Sequence, residues 1–193
     1  YYAGNASQGT YACAYGTFSG EQSQGAYSVA IGKDSGRYCQ KDNAVALGNL
    51  AGNTSQGSYA VALGKGGGQI NQGNFAVAIG VECGMYIQGT ESISIGFYAG
   101  REYQGDYAVA IGKNAGRYSQ KDYAIALGFT AAEVSQESNA IAIGRYAGRY
   151  CQSSFSVAMG YEAGYVSQEG GCIAMGYQAG YASQKGYAIA MGH

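Results

Sequence analysis

The feature that most constrains this chain is a sixteen-residue period kept without a single insertion or deletion. The segment "KNAGRYSQKDYAIALG" at 113–128 nearly repeats "KDSGRYCQKDNAVALG" at 33–48, with eleven of sixteen letters identical. Written in rows of sixteen from Tyr1, the 193 residues give twelve full rows and His193. The eighth column is Gln throughout: Gln8, Gln24, Gln40, Gln56, Gln72, Gln88, Gln104, Gln120, Gln136, Gln152, Gln168 and Gln184. The sixteenth is Gly throughout: Gly16, Gly32, Gly48, Gly64, Gly80, Gly96, Gly112, Gly128, Gly144, Gly160, Gly176 and Gly192. The fourth is Gly in every row but the one with Ala132. A unit this short cannot bury an apolar face alone, so the rows must stack on one another.

Columns eleven to fifteen approximate "YAVAI", with Val or Ile at thirteen in eleven rows and Ile, Leu or Met at fifteen in eleven. The period of two predicts a strand, with Tyr107, Val109 and Ile111 on one face and Ala108 and Ala110 on the other. A helix would need a period of 3.6 and would not carry so much Gly and β-branched residue. Gly at columns sixteen and four brackets a turn, since Gly takes positive φ without steric cost. A second corner follows the Gln, where column nine is Gly in six rows. Each row therefore reads as strand, turn, shorter strand, turn.

Stacked in register, such rows make an all-β fold, a parallel β-solenoid or β-roll of twelve sixteen-residue coils forming one repeat domain over 1–193. At about 4.8 Å per coil the rod is about 58 Å long. Identical amides one strand spacing apart can donate and accept along a continuous Gln ladder. Column eleven, Tyr or Phe in eight rows, is expected to form a similar aromatic stack. The Val and Ile face is expected to point into the coil, opposite the small residues of columns three and seven such as Ala115 and Ser119. That leaves the Ala face, with Ala124 and Ala126, to meet other chains.

Of the 23 charged residues, all but Glu91 fall in columns one, two, five, six, nine and ten, which are expected to face solvent. Net charge is -1, so no basic field invites nucleic acid. The longest apolar runs are about five residues, far short of the roughly 20 that span a bilayer, so no membrane insertion is expected in this segment. The chain begins "YYAG" and stops one residue into a thirteenth row, which reads as a segment of a longer chain or a filament subunit.

An enzyme needs a convergent acid, base or nucleophile, and the only His is His193. No catalytic residue, metal site or cofactor is expected. The five Cys occupy positions usually held by small or apolar residues and read as packing substitutions. Cys39 and Cys151 share a column but lie seven coils apart, about 34 Å, too far to pair within one rod. Aromatics at the first turn, Tyr98, Phe129, Tyr146, Tyr161 and Tyr177, are the candidate surface contacts.

The segments "AVAIG", "AIALG" and "AIAIG", each followed by a short turn and a small pair such as "AG", resemble the head repeats of YadA-like trimeric autotransporter adhesins. The resemblance covers all twelve rows, although this unit is sixteen residues with a fixed Gln where the family's usual repeat is fourteen. Similar repeats occur in fibre proteins of bacteriophages and large viruses. The resemblance implies a left-handed β-roll, a side-by-side homotrimer and extracellular display on a cell or virion surface. It also implies attachment to a host surface glycan or protein. Two alternatives stay open: a self-assembling filament subunit stacking head to tail, and a carbohydrate-binding module.

Overall fold

A computed structural model describes residues 2–192. His193 lies outside the described residues. The fold is all-β, a parallel β-solenoid whose coils follow the sixteen-residue rows. In the coil at 113–128 the strands are Tyr118–Gln120 and Ile125–Leu127. The first strands of successive coils form an eleven-stranded parallel sheet from Ala6–Gln8 to Val166–Gln168. The second strands form a twelve-stranded parallel sheet from Cys13–Tyr15 to Ile189–Met191. Register is uniform, with Ile125, Ala126 and Leu127 opposite Ile141, Ala142 and Ile143.

Coil-to-coil bonding extends beyond the strands into the turns. The amide of Ile125 donates to Ala140 O at 2.9 Å, and in the turns Asn114 donates to Phe97 O and Gly116 to Ala131 O, both at 2.9 Å. Lys121 donates to Gln136 O at 2.9 Å and Tyr123 to Asp106 O at 3.0 Å. The backbone groups that two three-residue strands leave over are thus largely satisfied by the coils above and below.

The strand is shorter than the alternation predicts, because columns eleven and twelve belong to a turn. Ala124 N bonds Lys121 O at 3.3 Å, and Ala115 N bonds Gly112 O at 3.3 Å. The third residue of each turn takes positive φ, 60° at Tyr123 and 58° at Asn114, as a type II turn requires. Asn tolerates this region, whereas Tyr pays about 1–2 kcal/mol. Positive φ therefore recurs at columns two, seven and eleven as well as at the glycines. At column seven, Ser119 at φ 57° bends the first strand at its centre. Only its flanking residues pair across coils, Tyr118 with Val134 and Gln120 with Gln136.

The interior is the reverse of the expected one. Ala108, Ala110, Ala124 and Ala126 are fully buried, with Ala115 of column three beside them. Val109, Ile111 and Ile125 lie on the outward face of their sheet and are only half-buried. Column seven does not line the core either: Ser119 is half-buried, and Cys39 and Cys151 are exposed. The reason is width. Sixteen residues spent on two tight turns leave so narrow an interior that even a Cβ placed on the turn residue Gly116 would lie 3.3 Å from the Ala110 Cβ of the second sheet. No row of Val and Ile fits there, and the largest fully buried side chains are the glutamines. The charged columns are mostly at the surface, but Asp34, Thr130 and Glu133 are buried, correcting the expectation that all six face solvent.

Candidate functional site

The Gln side chains reach across the coil from the first sheet to the second. Gln120 Nε2 donates to Val109 O at 2.9 Å, to Ala124 O at 3.2 Å and to Gln136 Oε1 at 3.0 Å. From Gln24 onward each amide donates in this way to the second strand of the preceding coil, bracing the two sheets and linking two coils at once. The rungs run from Gln40 through Gln56 and Gln72 to Gln88, and again from Gln104 to Gln184. Between Gln88 and Gln104 the ladder is interrupted at Ser94, whose hydroxyl donates to Gln104 Oε1 at 2.7 Å and takes the acceptor Gln88 would use. Gln8 is exposed and donates to Ala12 O at 3.0 Å.

The two Gly columns are required for different reasons. Gly112 has φ 125°, and a Cβ there would meet the backbone O of Gly128 at 2.5 Å. At Gly116, φ is 53° and the Cβ would meet Gln120 Oε1 at 2.8 Å, a side chain able to shift. Ala132 shows that shift accommodated: its φ is 45°, and Gln136 still donates to Ile125 O and to Gln152.

The first-turn aromatics lie along one long edge of the rod. Phe129 and Tyr177 are exposed, while Tyr98, Tyr146 and Tyr161 are half-buried. Tyr161 stacks on Tyr177 at 5.2 Å, and Tyr146 meets Phe129 edge-on at 5.4 Å. Cations interleave with the rings. Lys113 Nζ sits 5.7 Å from both Phe97 and Phe129, Arg145 lies over Phe129, Tyr146 and Tyr161, and Arg117 over Tyr98. Beneath them Arg149 Nε pairs with Glu133 Oε2 at 2.8 Å, which accounts for the burial of that carboxylate. Rings and cations thus hold each other in place, so this edge is a pre-ordered aromatic and cationic strip.

Two surfaces were not read as sites from the sequence. The first is the outward Val and Ile face, a twelve-strand apolar sheet, with Leu47, Ile79 and Met175 among its exposed members. The second is the column-eleven turn, where Tyr59 and Phe75 stack at 5.0 Å and Tyr107 and Tyr123 at 4.9 Å, with one face open to solvent. Beside the latter pair the Glu91 carboxylate raises the Tyr107 phenol above its ordinary range, followed by smaller effects from Tyr123, burial and Asp106. The repeat pattern carries the signal for both, but columns eleven to fifteen run turn residues and strand residues together without a break.

Cys83 and Cys172 fill small core positions, whereas Cys13, Cys39 and Cys151 are exposed, so only two of the five act as packing residues. Among the described residues there is no pocket, no group of three or more His, Cys, Asp and Glu, and no helix long and apolar enough to cross a membrane. No protein-family model, no curated protein and no solved structure matches the chain.

Proposed function

We propose that this chain is a non-enzymatic structural and adhesive rod of a cell-surface or virion fibre, built from copies packed side by side through the Val and Ile sheet. The observation that carries the reading is the inverted coil. Its large aliphatic residues face outward in two rows along eleven of the twelve strands, the first strand carrying Cys13 and Tyr15 instead, while Ala and Gln fill the inside. A contiguous apolar face of this length marks an association surface rather than a solvated one. Three copies around a common axis is the number the sequence resemblance implies, and the same resemblance supplies the extracellular setting. The Gln braces and coil-to-coil bonds give the stiffness that display requires, and repeated weak contacts to a surface glycan or protein gain strength through multivalency.

Sedimentation at micromolar concentration tests the assembly. The expected species has three times the 19.9 kDa chain mass, and Ile111→Asp on the outward face returns it to one. A monomer of the unaltered chain sinks the proposal, and filaments of variable length under the electron microscope replace it with end-to-end polymerisation.

A further inference from the structure

The column-eleven turn carries a second regularity that the sixteen-residue period does not require. Its rings come in stacked pairs, Tyr11 with Tyr27, Tyr59 with Phe75 and Tyr107 with Tyr123, at centroid distances of 5.3, 5.0 and 4.9 Å. Those distances match one coil step of about 4.8 Å, so each ring occupies one level of the stack. After each pair comes one level without a ring, at Asn43, Glu91 and Asn139. The backbone at these levels is the same as at the ring-bearing ones. Their φ values are 58°, 54° and 60° against 59° and 60° at Tyr107 and Tyr123. Their amides donate to the preceding coil in the same way, as in Glu91 N to Asn74 O at 2.9 Å. What is missing is only the side-chain ring.

We infer that these three levels are slots for planar aromatic side chains, and that together they receive an extended peptide segment with an aromatic residue at every fourth position. Each slot is walled by rings two coils apart, about 9.6 Å, which leaves room for one ring at the stacking distance the pairs already show. The walls are open to solvent: Tyr27 is 60% exposed, Tyr59 54% and Phe155 70%. The chain itself fills one such gap. At Gly171, which has no side chain, an added Cβ would meet the ring of Tyr187 at 2.8 Å, so that ring leans into the vacant level. At the floors, the Asn43 and Asn139 amides and the Glu91 carboxylate can accept a hydrogen bond, which selects an indole or phenol over a plain hydrocarbon ring.

Spacing selects the partner. The slots are three coils apart, about 14.4 Å. Four residues of fully extended chain span at most about 13.2–14.4 Å, so the segment lies at or near full extension, and an even interval keeps the side chains on one face. Helical or every-third-residue spacing cannot fill all three.

The test uses two synthetic nine-residue peptides of equal composition, one with Trp at positions 1, 5 and 9 and one with Trp at 1, 4 and 7. The protein has no Trp, so indole fluorescence reports the peptide alone. The first peptide is expected to bind saturably, one per chain, about tenfold tighter than the second through linked occupancy of the slots. Asn43→Tyr with Glu91→Tyr and Asn139→Tyr, which gives each slot the ring its neighbours carry, should abolish the difference. Glu91→Tyr alone should weaken the first peptide about threefold, and serves if the triple variant does not fold. Equal affinity of the two peptides, or unchanged binding by the filled variants, overturns the inference. Sedimentation of the same samples reads the assembly separately, since the slots lie in a turn and need no second copy.

Discussion

Gln120 donates from one amide nitrogen to Gln136 in the next coil at 3.0 Å and to Val109 O across the core at 2.9 Å. A single polar side chain is thus both the rung between coils and the strut between sheets. That dual role accounts for Gln at the levels that make both bonds, whereas Gln24 and Gln88 donate to the facing strand without donating a rung to the next Gln. Asn is too short to cross, Glu brings a charge, and any apolar residue leaves the carbonyls of columns twelve and thirteen without this donor.

Gln120→Leu removes the donor to Val109 O, Ala124 O and Gln136 Oε1 and the acceptor for Gln104 Nε2. The expected loss is about 2–5 kcal/mol, since buried polar groups are left unpaired. Denaturant unfolding measures it, and a change below about 0.5 kcal/mol would show that the ladder is ornamental.

Gln120→Glu adds a pH dependence whose sign follows from burial. Burial pushes the folded-state carboxyl above its unfolded value of about 4.3, so its proton is retained on folding. Stability is then greatest below the unfolded pKa and is lost as pH rises through the folded one. The melting temperature of the variant relative to the unaltered chain should fall between pH 4 and 8. A gap that narrows over that range contradicts a buried site.

Gly112→Ala and Gly116→Ala separate the two glycine columns. The first puts a methyl 2.5 Å from the Gly128 carbonyl at φ 125° and is expected to cost about 3 kcal/mol or more. The second repeats what Ala132 already does and should cost about 1 kcal/mol. Thermal melts that rank the two the other way would contradict the close backbone approach at column sixteen.

The sequence made the coil legible and left its section ambiguous. Register, strand pairing and the Gln and Gly columns follow from the period, because in-register stacking turns each column into a physical row. Which strand face is interior does not follow, since Val109 and Ala110 alternate with equal regularity whichever way the strand is turned. Only the distance between the sheets decides, and that depends on Ser119 and Tyr123 adopting positive φ, a conformation their residue types do not advertise. The same conformation defines the slots: in a strand Asn43, Glu91 and Asn139 are ordinary substitutions, whereas at positive φ in a turn they are gaps in a stack of rings.

A pair of substitutions tests the interior directly. Ala110→Leu overfills a position with no exposure and should cost about 2–3 kcal/mol. Val109→Ala, on the half-buried outer face, should cost within about 1 kcal/mol in the dissociated chain. Denaturant unfolding at low protein concentration reads both. A larger loss at Val109 than at Ala110 would restore the opposite orientation.

The cysteines report both the fold and the assembly in one experiment. Burial pushes the Cys83 thiol up to about 12, so at pH 8 its thiolate is about one part in ten thousand, and Cys172 is buried as well. Both should resist maleimide until the chain is denatured. Cys39 and Cys151 lie on the first sheet, and Cys13 replaces Val in the outward row of the second. At high dilution all three exposed thiols should label. At concentrations where copies pack through the second sheet, Cys13 should be protected while Cys39 and Cys151 remain open, which intact mass and peptide mapping distinguish. Protection of Cys39 and Cys151 instead would place the interface on the other sheet, and labelling of Cys83 in the native chain would contradict the closed Ala and Gln core.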